Sequence, residues 1–262
     1  MPGHLAKIPG WLRRRPAYLL MTATPAELEP EPPARFAKAW RGLLVWSFLW
    51  GVAMVALYQF AWATFWELPG LPLMPVTAVV AATATGLYRR AVVALAQAAG
   101  GDSDSQASVC SAVIVAGLML ALLGLPSWRP HWTSIPWLLR LVPRTMFWVL
   151  LLAPLWGGWV MLIVPKFCPP SPSTEPQVTA MILGCGAPAA TLTMAVPLAP
   201  TLWVFSVFGW WYLTIPVATF AGALIGGWTL CRRFGGPTRQ ALLATNLLTQ
   251  IVFILAYVAL IR

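Results

Sequence analysis

Between Pro176 and Cys231 the chain runs for 56 residues without a single Asp, Glu, Lys, Arg or His. A water-facing surface needs charges to stay soluble, and no water-soluble domain leaves so long a stretch bare. A helix rises about 1.5 Å per residue, so crossing a hydrocarbon core of roughly 30 Å takes about 20 residues. The uncharged run is therefore long enough for two crossings. The rest of the chain agrees: 59% of it is hydrophobic and 9% charged, too little charge to clothe 262 residues in water. The sequence predicts an all-α fold, a polytopic integral membrane helical bundle of about seven transmembrane helices, within a range of six to eight.

Seven apolar spans can be read, at about 43–66, 70–88, 107–126, 146–165, 178–198, 203–230 and 241–261. The fifth and sixth have no charged border, so the division of 178–231 stays open. Prolines inside several spans (Pro75, Pro154, Pro188, Pro197, Pro216) predict kinks whose freed carbonyls neighbouring helices must satisfy. Residues 127–145 read as an interfacial segment, and residues 1–42 as a basic, proline-rich head whose PAELEPEPPAR stretch is a stiff, solvated linker. The arginines Arg13 to Arg15 precede only a weak apolar stretch, so no cleavable signal is expected. With the amino terminus inside, the inner segments carry thirteen Lys and Arg and the outer ones four. That asymmetry predicts a cytoplasmic amino terminus in the inner membrane. The Lys/Arg of 127–145 run against it.

A formal net charge of +10 raises nucleic acid as a partner, but the basic residues are scattered over short loops. Topology and anionic lipid account for them better, and no nucleic acid is expected. The 16 tryptophans fall largely near span ends, where an amphipathic ring suits the membrane boundary, and some must also fill helix–helix contacts. Cys110, Cys168, Cys185 and Cys231 show no CxxC pair, and His4 and His131 are the only histidines. That ligand set predicts no zinc, haem or iron–sulfur site, and each cysteine reads as a small apolar residue.

Seven carboxylates exist and none lies in a proposed span, which speaks against ion-coupled transport. Asp102 and Asp104 in GGDSDSQ are close neighbours beside Ser103 and Ser105. They could hold Mg²⁺ through oxygen ligands and serve as the catalytic acids for a diphosphate-bearing substrate, or simply form a hydrophilic turn. In CRRFGGPTRQ, the residues Arg232, Arg233, Gly235, Gly236, Thr238 and Arg239 could clamp a phosphate with guanidinium and backbone N–H donors. The plainer reading is a basic inner loop. Gly222 and Gly226, at GxxxG spacing, read as generic close packing.

Three segments carry a family resemblance. RRFGGPTRQALLATN, followed by a final apolar span, resembles the carboxy-terminal signature of the cobalamin synthases, the adenosylcobinamide-GDP ribazoletransferases. Their basic pair, GGxTGD and Gly-Ala step are matched at Gly235, Gly236, Thr238 and Ala244. LLLAPLWGGWVM resembles the family's APxxxRWAM segment through Ala153, Pro154, Trp159 and Met161. TGLYRRAVVALAQ stands where the family has TGGxHxDGxADxxDG, with Thr85, Gly86 and Leu87 at its opening. GDSDSQ falls near the family's Lys-Asp-Ser motif, with Asp104 and Ser105 as counterparts. The resemblance covers the chain from about residue 40 to its end. Tyr88 stands at the family's His, Arg90, Ala94 and Gln97 at its three Asp, Gly158 at the Arg, and Gln240 at the last Asp.

The resemblance implies a Mg²⁺-dependent transferase that joins the ribazole part to a nucleotide-linked corrinoid. The substitutions leave two alternatives: a catalytically inactive relative or accessory subunit of a membrane complex, with membrane protein partners, and an unrelated lipid- or solute-handling protein.

Overall fold

A computed structural model describes residues 15–23, 25–64, 87–100, 145–206 and 210–261. Nearly all of the span read at 70–88, the whole of 107–126 and most of 127–145 lie outside them, as do Asp102, Asp104 and Cys110.

Helices are the only regular secondary structure among the described residues. A short helix α1 (Pro16–Thr22), one turn α2 (Pro25–Leu28) and a 3₁₀ turn (Pro33–Phe36) lead into α3 (Ala39–Thr64). Then come α4 (Leu87–Gly100), α5 (Thr145–Phe167), α6 (Pro176–Gly184), α7 (Ala187–Leu192) and α8 (Ala195–Ser206). After a 3₁₀ turn at Trp210–Leu213, α9 (Thr214–Arg233) and α10 (Arg239–Ile261) complete the chain's described part. Among the described residues five stretches are long and apolar enough to cross a membrane: Ala39–Phe60, Phe147–Phe167, Ala187–Ser206, Trp211–Arg233 and Arg239–Leu260.

Three sequence expectations are corrected. The segment 178–198 is not one span: the helix stops at Gly184, restarts at Ala187, and turns again at Thr193 and Met194 before α8. Proline lacks the N–H that helix interiors donate but is tolerated in the first turn. Pro188, expected to kink a span, instead sits at the start of a helix and acts as an initiator, as Pro176 does. The border between the fifth and sixth spans accordingly falls near 206–214. The segment between the spans read at 70–88 and 107–126, counted above among the inner connections, is helical as far as Gly100. Finally, the head does more than link: Ala17, Leu19, Leu20, Met21, Leu28 and Phe36 are buried in the common core.

The buried helix α5 is the hub, flanked by α3 on one side and α10 on another, with α9 and α4 packed against α10. Small residues set the close crossings. A Cβ on Gly51 would meet Leu151 O at 2.8 Å, and one on Gly158 would overlap Ser47, so α3 and α5 run antiparallel. A Cβ on Gly157 would meet Asn246 Oδ1 at 2.7 Å, which sets α5 against α10. Gly222 faces Val252 and Gly226 faces Leu248, so the GxxxG pair seats α9 on α10. Two buried tryptophans tie the broken segment to the hub: Trp156 Nε1 donates to Thr201 Oγ1 at 3.0 Å, and Trp159 Nε1 to Ala190 O at 3.0 Å. These two rings fill helix–helix contacts, the second of the roles expected for tryptophan.

The antiparallel pairings place the starts of α3 and α10 and the ends of α5 and α9 at one end of the bundle. Arg35, Lys38 and Arg41, Lys166, Arg232, Arg233 and Arg239 all belong to that end. The segment 15–38 lies across it.

Candidate functional site

Among the described residues the charged side chains gather at the basic end, and the loop between α9 and α10 lies there. Past Arg233 the chain turns through Gly235 (φ +71) and Gly236 (φ +148), conformations that glycine adopts without a Cβ penalty. Gly236 N donates to Cys231 O at 2.8 Å and Gly235 N to Arg232 O at 3.3 Å, the paired bonds that close a helix C-terminus. The exposed carbonyl of Gly235 accepts from Ser173 Oγ at 3.0 Å and from Ser171 Oγ at 2.5 Å. Thr238 caps α10, its Oγ1 accepting from Ala241 N at 3.2 Å. Glu175 Oε2 accepts from Arg239 N at 2.9 Å, a carboxylate at the positive end of α10.

The residues read as a phosphate cradle are thus brought together, but their backbone donors serve as helix caps. The three arginines divide. Arg232 and Arg233 are exposed, and the Arg232 guanidinium lies 4.7 Å from the Trp228 ring centroid. Arg239 points inward and is buried (6% exposed). Its Nε donates to Leu20 O, while its Nη2 has no partner among the described residues. Arg90, from α4, donates through Nη1 to Ala23 O. Two guanidinium groups therefore meet the carbonyl end of α1, where the helix dipole is negative. Glu175 and Glu27 supply opposing charge around Arg239, and Arg90 supplies like charge.

Sequence reasoning missed two further features. One is a buried polar stripe on α10: Thr245, Asn246, Thr249 and Gln250. Thr245 and Thr249 donate back to Ala241 O and Thr245 O at 2.7 and 2.8 Å. Gln250 Nε2 donates to Asn246 Oδ1 at 2.5 Å, and Asn246 Nδ2 to Met161 Sδ at 3.2 Å. Such side chains satisfy one another inside a bundle and hold helices together. Their i, i+4 spacing in ATNLLTQ was the available signal.

The other is Lys166, whose Nζ donates to Ile182 O at 2.8 Å and to Cys185 O. It satisfies the carbonyls freed where α6 stops short of α7. Replacing Lys166 with Met should leave those acceptors unpaired at a cost of about 1–3 kcal/mol. Maleimide labelling of the buried Cys185 is then expected to accelerate several-fold. Unchanged labelling would show that the lysine does not hold the break closed.

Among the described residues no group of three or more His, Cys, Asp or Glu is placed to hold a metal ion. No family model, curated protein or solved structure matches the chain. The site must be read from its own chemistry.

Proposed function

We propose that this chain is an integral membrane protein on a cobalamin-synthase-like scaffold, working as a catalytically inactive relative or accessory subunit of a membrane complex. The observation that supports the scaffold is a convergence. The segments carrying the resemblance lie far apart in sequence, yet α4, the second half of α5 and the α9–α10 loop all pack around the first half of α10. Ala94 lies with Leu230 and Ala244, and Met161 meets Asn246.

What occupies those positions favours the inactive reading. Arg90 is engaged with the head, Ala94 is buried and apolar, and Gln97 and Gln240 are exposed amides. Gly158 is pressed on Ser47, where an arginine side chain would have no room. The described residues of this end offer Mg²⁺ no ligand set, since Glu175 already caps α10. Any Mg²⁺ would fall to Asp102 and Asp104. By the positive-inside rule, the exposed Arg232 and Arg233 together with the basic head support a cytoplasmic position for this end, at the inner membrane.

The test uses the purified full chain in lipid nanodiscs, supplied with adenosylcobinamide-GDP, α-ribazole and Mg²⁺. No product is expected from folded protein, and a membrane protein partner should co-purify under mild detergent. Turnover that Asp104→Ala abolishes would overturn the inactive reading in favour of the transferase.

A further inference from the structure

Helices α5 and α9 run parallel and end together at the basic end. Close to those ends Gly227 lacks the Cβ that would overlap the Val164 side chain, so the α9 backbone rests directly on that side chain. Residues four apart share a helix face. Four residues beyond this contact stand Cys168 and Cys231, both buried in the same core cluster, at 7% and 1% exposure. The two thiols lie near enough to act on one another electrostatically. The 63-residue separation along the chain hides this pair from any reading of CxxC spacing.

We propose that Cys168 and Cys231 form a reversible dithiol–disulfide site, a modification site for small disulfide oxidants. Bridging requires Cα atoms roughly 4.4–6.8 Å apart, a separation that the contact at Gly227 brings within reach one turn earlier. Cys168 is the entry point: it lies just past α5, at the edge of the exposed 169–173 loop, and Arg232 adds positive charge beside it. Burial raises the Cys168 thiol above its ordinary range, and Cys231 and Arg232 pull it partly back. The reaction is accordingly slow for a free thiol, and proximity favours its second step.

The Cys168 thiolate attacks one sulfur of the oxidant and expels a thiolate, which takes up the proton Cys168 released. The Cys231 thiolate then attacks the mixed disulfide at the Cys168 sulfur and expels the second thiolate, which takes up the other proton. Both cysteines are oxidised, and the oxidant leaves as two thiols. The bridge would pin the end of α5 to the end of α9 and hold Ser171 and Ser173 over Gly235. On a face of the membrane kept reduced, the pair rests as thiols and closes on oxidation.

The experiment treats the full chain in nanodiscs with glutathione disulfide, blocks residual thiols with an alkylating reagent, and maps peptides by mass. The expected result is one linked peptide pair containing Cys168 and Cys231, two hydrogens lighter than the reduced pair and restored by dithiothreitol. Cys168→Ser and Cys231→Ser should each abolish it, while the wild-type map stands whether or not those variants fold. Separate glutathione adducts without a bridge, a preferred bridge to Cys110 or Cys185, or four unmodified thiols would each overturn the proposal.

Discussion

Gly158→Ala is expected to destabilise the bundle by about 1–3 kcal/mol, a large loss for the addition of one methyl group. The added Cβ would lie 2.8 Å from Ser47 Cβ and overlap its Oγ. Ser47 is itself buried, at 3% exposure, and its Cβ cannot rotate away. Relief must come from separating α3 from α5, which loosens the crossing next to it at Gly51 and Leu151. The double variant Gly158→Ala with Ser47→Gly removes the obstruction and should recover most of the loss, a coupling that distant sites would not show. Gly186→Ala is the control: its Cβ would meet only Pro188 Cδ, at 3.7 Å, and little change is expected. Chemical unfolding of the three variants in mixed micelles reads all of this. Full tolerance of Gly158→Ala, or a loss that Ser47→Gly does not recover, would refute the α3–α5 crossing described above.

Arg239→Met is expected to release the head from the bundle while leaving the core intact. The wild-type guanidinium donates to Leu20 O, and a hydrogen bond from a charged group contributes roughly 1.5–3 kcal/mol. Its Nη2 is buried without a partner among the described residues, so part of that contribution is offset. Global stability is therefore the weaker readout, and local opening the stronger. Amide exchange across Ala17–Ala23 should accelerate about ten- to a hundred-fold, since each 1.4 kcal/mol is about tenfold. Exchange in α5 should not move. Arg239→Lys should fall between the two, because an ammonium keeps the charge but not the planar reach of the guanidinium. Unchanged exchange in the head would show that Arg90 and the apolar contacts of Leu19, Leu20 and Met21 hold it unaided.

How much was legible depends on whether a feature is local. The span read at 146–165 is the helix Thr145–Phe167, and that read at 241–261 is Arg239–Ile261. A long apolar run needs no partner to become a helix in a bilayer, because its backbone groups must bond within the segment. The break after Gly184 was not legible. A proline in a membrane span can kink a helix or begin one, and Lys166, 16 and 19 residues away, satisfies the carbonyls that make this a break.

The candidate site was less legible still. Gly235, Gly236 and Thr238 read as parts of a phosphate clamp or of a plain basic loop, and sequence could not say whether their donors faced a ligand or a helix end. The donors turn back on the helix end, Gly236 N to Cys231 O and Gly235 N to Arg232 O, while Ser171, Ser173 and Glu175 from another loop engage Gly235 O and Arg239 N. The three arginines looked alike in CRRFGGPTRQ. Only packing turned Arg232 and Arg233 outward and drew Arg239 in.

By itself, then, the sequence determined an apolar, helical, charge-poor chain with its basic residues gathered between spans, because hydropathy and helix formation act over one or two turns. Tertiary structure alone decided which glycine receives which neighbour, and that Cys168 meets Cys231. It also decided that Arg239 reaches a carbonyl 219 residues away. Those choices rest on close approach between distant segments, and no local pattern encodes which partner lies across the gap.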